Sequence, residues 1–272
     1  MDLCDIVHLL QYRTSKDRLM ETKQSDMMGG LAKGLRVIEA FTADNPRLSI
    51  SEAAAITGLD RATTRRCLLT LAEHGYCAYD GKFFTVTPRV LRLGTGCLAS
   101  MPLPRIVQPW LDQLSDRIGQ STSVAILDEG EIVYVARAAQ RKVMSIALMP
   151  GSRLPAYCTS MGRVMLAALP ADRARNILAA FPLNARTPHT LTDIEAVMEE
   201  LDKVRQKGFA SVDQEVEIGL RSIAVPLKNA RGAVVAALNT GLPVSPETMS
   251  ALVERYLNPL GQVAKELSGI LT

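Results

Sequence analysis

The chain has 272 residues, 47% of them hydrophobic and 22% charged, with a formal net charge of +3. That is enough chain for two domains with separate cores, and no apolar run approaches the ~18 residues of a membrane-spanning helix. Between residues 31 and 98 there are nine Lys/Arg against six Asp/Glu, so the positive excess sits in one part of the chain. The five cysteines (Cys4, Cys67, Cys77, Cys97 and Cys158) are scattered, with no CxxC or Cys/His cluster. Together with an N-terminus that lacks a basic region before an apolar stretch, this leads us to expect reduced thiols in a cytoplasm, no secretory signal, no metal and no cofactor.

Residues 1–30 carry little pattern and are expected to form a mobile extension, or a segment that folds against a partner subunit. Leu31 to Ala43 reads as an amphipathic helix, with Leu31, Leu35 and Ile38 on one face and Ala32, Val37 and Phe41 at its rim, ended by Asn45-Pro46. Ser51 to Thr57 reads as a short helix capped by its serine, with Glu52 in the first turn and Gly58 as the stop. Asp60 then caps a second helix, Arg61 to His74, whose apolar positions are Cys67, Leu68, Leu71 and Ala72. Its polar face opens with Arg61, Thr63, Thr64, Arg65 and Arg66. Two short helices joined by a tight turn suit the major groove of DNA, where Arg bonds guanine edges or phosphates and Thr meets a phosphate or a thymine methyl. A solvated basic helix over an ordinary core is the alternative.

Cys77–Tyr79 and Phe83–Val86 flank Asp80-Gly81, a strong hairpin signal, and complete a winged helix-turn-helix over residues 31–87. Lys82 at the wing tip meets a phosphate or only water. Thr87-Pro88 favours the start of a further helix, a linker over residues 88–103 broken by Met101-Pro102-Leu103-Pro104. A second domain, residues 104–272, begins with an amphipathic helix, Arg105 to Ile118. Strands are expected at Thr122–Leu127, Glu131–Ala136, Lys142–Met149, Ala210–Asp213, Ser222–Leu227 and Ala233–Thr240. Helices are expected at Thr159–Leu169, Pro170–Phe181 and Asp193–Gly208, with a last one capped by Ser245-Pro246-Glu247. Strands and helices grouped without strict alternation indicate an α+β domain with a mainly antiparallel sheet.

Several stretches in order resemble the IclR family of bacterial transcription regulators. Residues 30–41 are like its opening helix, and residues 86–94, with Val86 in place of a leucine, are like its linker helix. Residues 154–167, together with Asp213, Glu215 and residues 219–226, are like the signatures of its effector domain. The runs at residues 61–66, 153–163 and 219–226 resemble the branch that regulates aromatic catabolism through β-ketoadipate (PcaR, PcaU and PobR types).

The resemblance implies a GAF-like domain that binds a small organic acid beside its sheet. It also implies a homodimer or dimer of dimers on double-stranded operator DNA, with no membrane partner. Protocatechuate, 4-hydroxybenzoate and β-ketoadipate are the effector classes it suggests; a small keto acid such as glyoxylate or pyruvate would mark another pathway. Mapped by motif, the effector site comprises Thr159, Ser160, Met161 and Gly162 at a helix N-terminus, whose free amides favour a carboxylate. Asp213, Glu215, Leu220, Ser222 and Asn239 complete it, with Ile146 and Leu148 as apolar walls. Ser222 stands where related regulators have cysteine.

Thr159 is equally readable as a helix cap, and Asp213 as a partner of turn amides. Arg221 either grips a ligand carboxylate bidentately or pairs with Glu215 or Glu217. Two other functions compete with this reading. A cysteine-dependent enzyme would use Cys158 at a helix start, with His189 and Asp193 nearby, but the chain shows no nucleophile elbow, phosphate loop or metal cluster. A purely structural DNA-binding protein would need no second domain with a polar pocket.

Overall fold

The computed structural model describes residues 27–42, 44–140 and 148–271. They form two compact units that divide in sequence between Ser100 and Met101. Among the described residues, no helix is long and apolar enough to cross a membrane.

The first unit contains α1 (Gly29–Glu39), β1 (Arg47–Leu48), α2 (Ile50–Thr57), α3 (Arg61–Glu73), β2 (Cys77–Tyr79) and β3 (Phe84–Val86). The strands form an antiparallel sheet in the order β1-β3-β2. The cap of α2 is Ser49, not Ser51. Ser49 Oγ accepts the Glu52 amide at 3.3 Å, and the Glu52 carboxylate accepts the Ser49 amide at 2.7 Å. Only Ser49 stands three residues before that glutamate, the spacing such a reciprocal cap requires. Gly58 ends α2 at φ 66, and Asp60 caps α3 by accepting the Thr63 amide at 2.8 Å.

Val37, Leu48, Ala53, Leu68 and Phe84 make the core of this unit. Leu31 and Leu35, expected on the buried stripe of α1, are instead 60% and 47% exposed. They line an open apolar groove of about 620 Å³ with Ile38, Cys67, Leu71 and Leu93. The wing turn is held by Asp80, whose Oδ1 accepts the Lys82 and Phe83 amides at 2.9 and 2.7 Å. Thr87 caps a short 3-10 turn, Pro88–Val90, from which α4 (Leu91–Ser100) continues.

The second unit runs α5 (Pro102–Ile118), β4 (Ser121–Asp128), β5 (Glu131–Ala138), β6 (Arg153–Pro155), α6 (Ser160–Ala167), α7 (Ala171–Ala180), α8 (Ile194–Lys207), β7 (Ala210–Asp213), β8 (Leu220–Lys228), β9 (Val234–Pro243) and α9 (Met249–Ser268). Pro102 and Leu103 thus belong to the first helix of this unit, and Thr248, not the Ser245-Pro246-Glu247 run, caps the last helix. The expected strand at Lys142–Met149 lies mostly outside the described residues.

The sheet is antiparallel, in the order β6-β5-β4-β9-β8-β7. Each face buries a core. On one, Val124, Ile126, Ile223, Val225 and Leu238 meet Leu103, Val107 and Leu111 of α5, and Leu260 and Val263 of α9. The other face carries Ala125, Ala224 and Ala237 under α6 and α8. These short side chains let the buried helix α6 lie close to the sheet. At the start of α6, a Cβ on Gly162 would stand 2.2 Å from the Ala156 carbonyl oxygen, so only glycine fits there.

Candidate functional site

In the first unit, Arg61, Arg65 and Arg66 are exposed at the start of α3, as is Lys82 on the wing. Thr63 and Thr64 are not. Thr63 is 7% exposed, and Thr64 is fully buried with its hydroxyl donating to the Asp60 carbonyl at 3.0 Å. Neither is exposed with the arginines: Thr64 faces the unit's own interior, one helical turn from the buried Leu68, and Thr63 lines the groove along α1 with Arg66. Arg66 donates to Thr63 Oγ1 at 3.4 Å, which holds its guanidinium over the start of the helix. Arg47 and Lys82 both lie over the Phe83 ring, at 4.6 and 5.0 Å from its centroid, so a second cation stands beside the expected one on the wing.

In the second unit, a cavity of about 30 Å³ lies between the start of α6 and the sheet. Leu148, Thr159, Ser160, Met161, Leu220, Ser222 and Asn239 line it, as expected from their motifs. Leu154, the first residue of the 154–167 signature, lines it too, as do Tyr134, Arg137, Val216 and Gly241, to which no motif points. Ile146 lies outside the described residues. The enclosed space is that of about one water molecule, so an organic acid enters only as the walls part.

Four expected site residues are placed elsewhere. Gly162 abuts the Ala156 backbone. Asp213 pairs with Arg221, its neighbour across β7 and β8, at 2.9 Å. Arg221 also donates to the Glu247 carbonyl at 2.7 Å, so it is held by Asp213 and not by Glu215 or Glu217. Glu215 is 7% exposed and takes Arg163 at 2.6 Å, an ion pair buried on both sides. Arg163 donates in addition to the Tyr157 carbonyl at 2.9 Å, and Glu215 accepts the Leu191 amide at 3.3 Å. The pair ties α6 to two loops behind the cavity.

A strand irregularity builds the cavity floor. Tyr134 and Arg137 are three residues apart, and a regular strand would send them to opposite faces. The β4–β5 register passes from Val124↔Ala136 to Ala125↔Tyr134, leaving Val135 as an extra residue. This bulge brings both side chains to one face. Ser123 pairs with Arg137 on one side and Asn239 on the other, so the three form a polar row across β5, β4 and β9. Arg137 donates to Ser123 Oγ at 3.0 Å. Burial pulls its pKa down, and burial pushes that of Tyr134 up to about 12. Ser160 Oγ and Asn239 Oδ1 are buried and have no hydrogen-bond partner among the described residues.

Thr159 does cap α6, accepting the Gly162 amide at 3.2 Å, while also lining the cavity. Cys158 is fully buried, and burial pushes its thiol up to about 11, against the lowering expected of a helix start. His189 is exposed, and Asp193 caps α8 by accepting the Ala196 amide at 2.9 Å.

A winged helix-turn-helix with exposed arginines on α3, together with a separate unit that holds a buried polar cavity, defines a ligand-responsive DNA-binding regulator. The chain belongs to the IclR family of bacterial transcriptional regulators. Residues 30–81 match the IclR helix-turn-helix domain, and residues 95–269 match the C-terminal domain of bacterial IclR transcriptional regulators. The chain is 43% identical to a Pca regulon regulatory protein of Pseudomonas putida, over 90% of this chain and 85% of that one. It is 36% identical to the p-hydroxybenzoate hydroxylase transcriptional activator of Acinetobacter baylyi, over 96% and 98%. Among solved structures, it resembles the inducer-binding domain of a double mutant of the PobR transcription factor from Acinetobacter, in complex with 3-hydroxybenzoic acid. There the identity is 33% and the TM-score 0.58, covering 62% of this chain and 98% of that one.

Proposed function

We propose that this protein regulates genes of aromatic-compound catabolism, of the β-ketoadipate or protocatechuate type, and senses a small aromatic or dicarboxylic acid in the cavity between α6 and the sheet. The observation that carries this reading is the pair of buried, unpartnered polar atoms, Ser160 Oγ and Asn239 Oδ1, on a cavity that also holds an arginine. Buried polar groups are nearly always bonded; a ligand carboxylate would accept from the Ser160 hydroxyl, and a ligand hydroxyl would donate to Asn239 Oδ1. The relatives that regulate Pca and p-hydroxybenzoate genes support the pathway.

The protein acts by binding, without turnover. It works as a homodimer or dimer of dimers on paired half-sites of operator DNA. The open groove along α1 supports the dimer, since an exposed apolar face of that extent suits a second copy. A ligand alters transcription only by binding two arrangements of the assembly unequally, and α4 is the segment whose orientation differs between them.

Thermal unfolding of the full chain with protocatechuate, 4-hydroxybenzoate, β-ketoadipate, glyoxylate and pyruvate tests the reading. A ligand of the folded state raises its stability, so one of the first three should raise Tm. A rise with glyoxylate or pyruvate alone would move the regulator to another pathway. No rise with any of the five would remove the cavity as a sensor.

A further inference from the structure

We propose that the open groove between α9 and the edge of β8 is the dock of the chain's own N-terminal segment, residues 3–10, laid in it as a short amphipathic helix. The groove lies on the face of the sheet opposite the cavity, under α9 and away from α6.

The groove encloses about 610 Å³. Its floor is apolar: Phe209, Pro226, Val253, Leu257 and Ala264 line it, and each is only partly buried. Val253, Leu257, Gly261 and Ala264 stand at helical intervals, on one face of α9 that the core covers only in part. A Cβ on Gly261 would meet nothing within 4 Å, so the middle of the groove is open. The rim is basic. Lys207, Lys228 and Lys265 stand there against a single acid, Glu254, and all four are exposed. Among the described residues, none of the three lysines is in an ion pair. An apolar floor inside an unpaired basic rim fits an occupant that is apolar on one side and acidic in charge.

The edge of the sheet decides the form of that occupant. β7 pairs with β8 only over Arg221–Ala224, which leaves residues 225–228 without a strand on that side among the described residues. An added strand would need that edge, and Pro226 has no N–H to offer it. A helix needs only the apolar floor.

Residues N-terminal to α1, outside the described residues, have the required pattern. Leu3, Ile6, Val7 and Leu10 stand at i, i+3, i+4 and i+7, the spacing of a helix anchored in a groove. Residues 1–12 contain Asp2 and Asp5 and no Lys or Arg, so their charge opposes that of the rim. Two turns of helix do not persist alone in water, and these residues need a surface on which to fold. Eighteen residues separate Leu10 from Gly29, where α1 begins, and they span up to ~60 Å when extended. Docked in the groove, the segment joins the start of α1 to the second unit by a route separate from α4. The DNA-binding unit is then tied at both ends of its chain.

Zero-length carbodiimide cross-linking of the full chain, read by peptide mass spectrometry, tests this. Asp2 or Asp5 should be joined to Lys207, Lys228 or Lys265. Leu10→Glu, which lies outside both cores, should lose most of that product. Gly261→Leu should lose it too, because the new side chain fills the open middle of the groove while the helix gains a better former. Absence of the product in wild type would overturn the dock, as would its persistence in both variants. Joining of Asp2 or Asp5 chiefly to Lys33 would place the segment on the first unit and overturn it. A chain-to-chain product joining Glu254 to Lys265 would give the groove to a second copy and overturn it as well.

Discussion

Arg163→Met should destabilise the second unit severely, and the reason lies in what the substitution leaves behind. Arg163 and Glu215 have side-chain exposures of only 3% and 9% and meet at 2.6 Å. Methionine fills much of the arginine's volume but strands the Glu215 carboxylate away from water. Losing one partner of a buried pair costs about 3–5 kcal/mol. The Tyr157 carbonyl loses its donor too, worth about 1 kcal/mol. A domain of this size loses roughly 2–4 °C of Tm per kcal/mol, so a fall of roughly 8–24 °C is expected. Trp110, the chain's single tryptophan, lies in α5, so its fluorescence follows this unit alone. Removing both charges with Arg163→Met/Glu215→Leu should recover much of the loss, because no stranded charge remains. A single variant melting within about 2 °C of wild type, or a double variant as unstable as the sum of the two singles, would refute the reasoning.

Arg66→Ala should weaken operator binding and reduce the slope of log K against log salt by about one if the contact is to a phosphate, as fluorescence anisotropy over a salt series would record. Thr64→Val should leave operator affinity unchanged and cost about 1 kcal/mol of stability in the same preparation; loss of binding by a folded Thr64→Val protein would return that residue to the interface. With a thiol pKa of about 11, roughly one Cys158 in a thousand is ionised at pH 8, so iodoacetamide should label the exposed Cys97 well before Cys158 when followed by mass spectrometry. Labelling of Cys158 ahead of Cys97 would reverse the account of its burial.

Helix caps are legible wherever a capping side chain and its target amide stand within three residues and no rival competes. Asp60, Thr87, Thr159 and Asp193 all cap as their sequences suggest. Two candidates close together make the choice harder. Ser51 stands directly beside the acidic residue, yet Ser49 alone has Glu52 at the reciprocal spacing. The short strands β1 and β6 hold two and three residues, too few to show alternation, and their partners lie well away in the chain. The exposed leucines of α1 escape the sequence for another reason. Helical periodicity reports which residues share a face, but not whether that face is covered within the same chain.

The threonines of α3 and the floor of the cavity show why side-chain chemistry is a weaker guide to a site than side-chain direction. Thr63 and Thr64 carry groups suited to DNA, yet both are buried: Thr63 lines the groove along α1, and Thr64 commits its hydroxyl to the Asp60 carbonyl. The arginines on either side of them remain exposed because their length carries the charge clear of the core. Arg137 is the converse. Strict alternation from Tyr134 assigns it to the opposite face, and only the extra residue at Val135 turns it toward Asn239 and Ser160. A bulge depends on how two strands pair, so a single strand's sequence does not announce it. The charged residue that lines the cavity is therefore hidden in the sequence, while the loop and helix residues around it are legible from their motifs. Asp213 and Arg221 follow the same rule: their register across β7 and β8 makes them partners of each other.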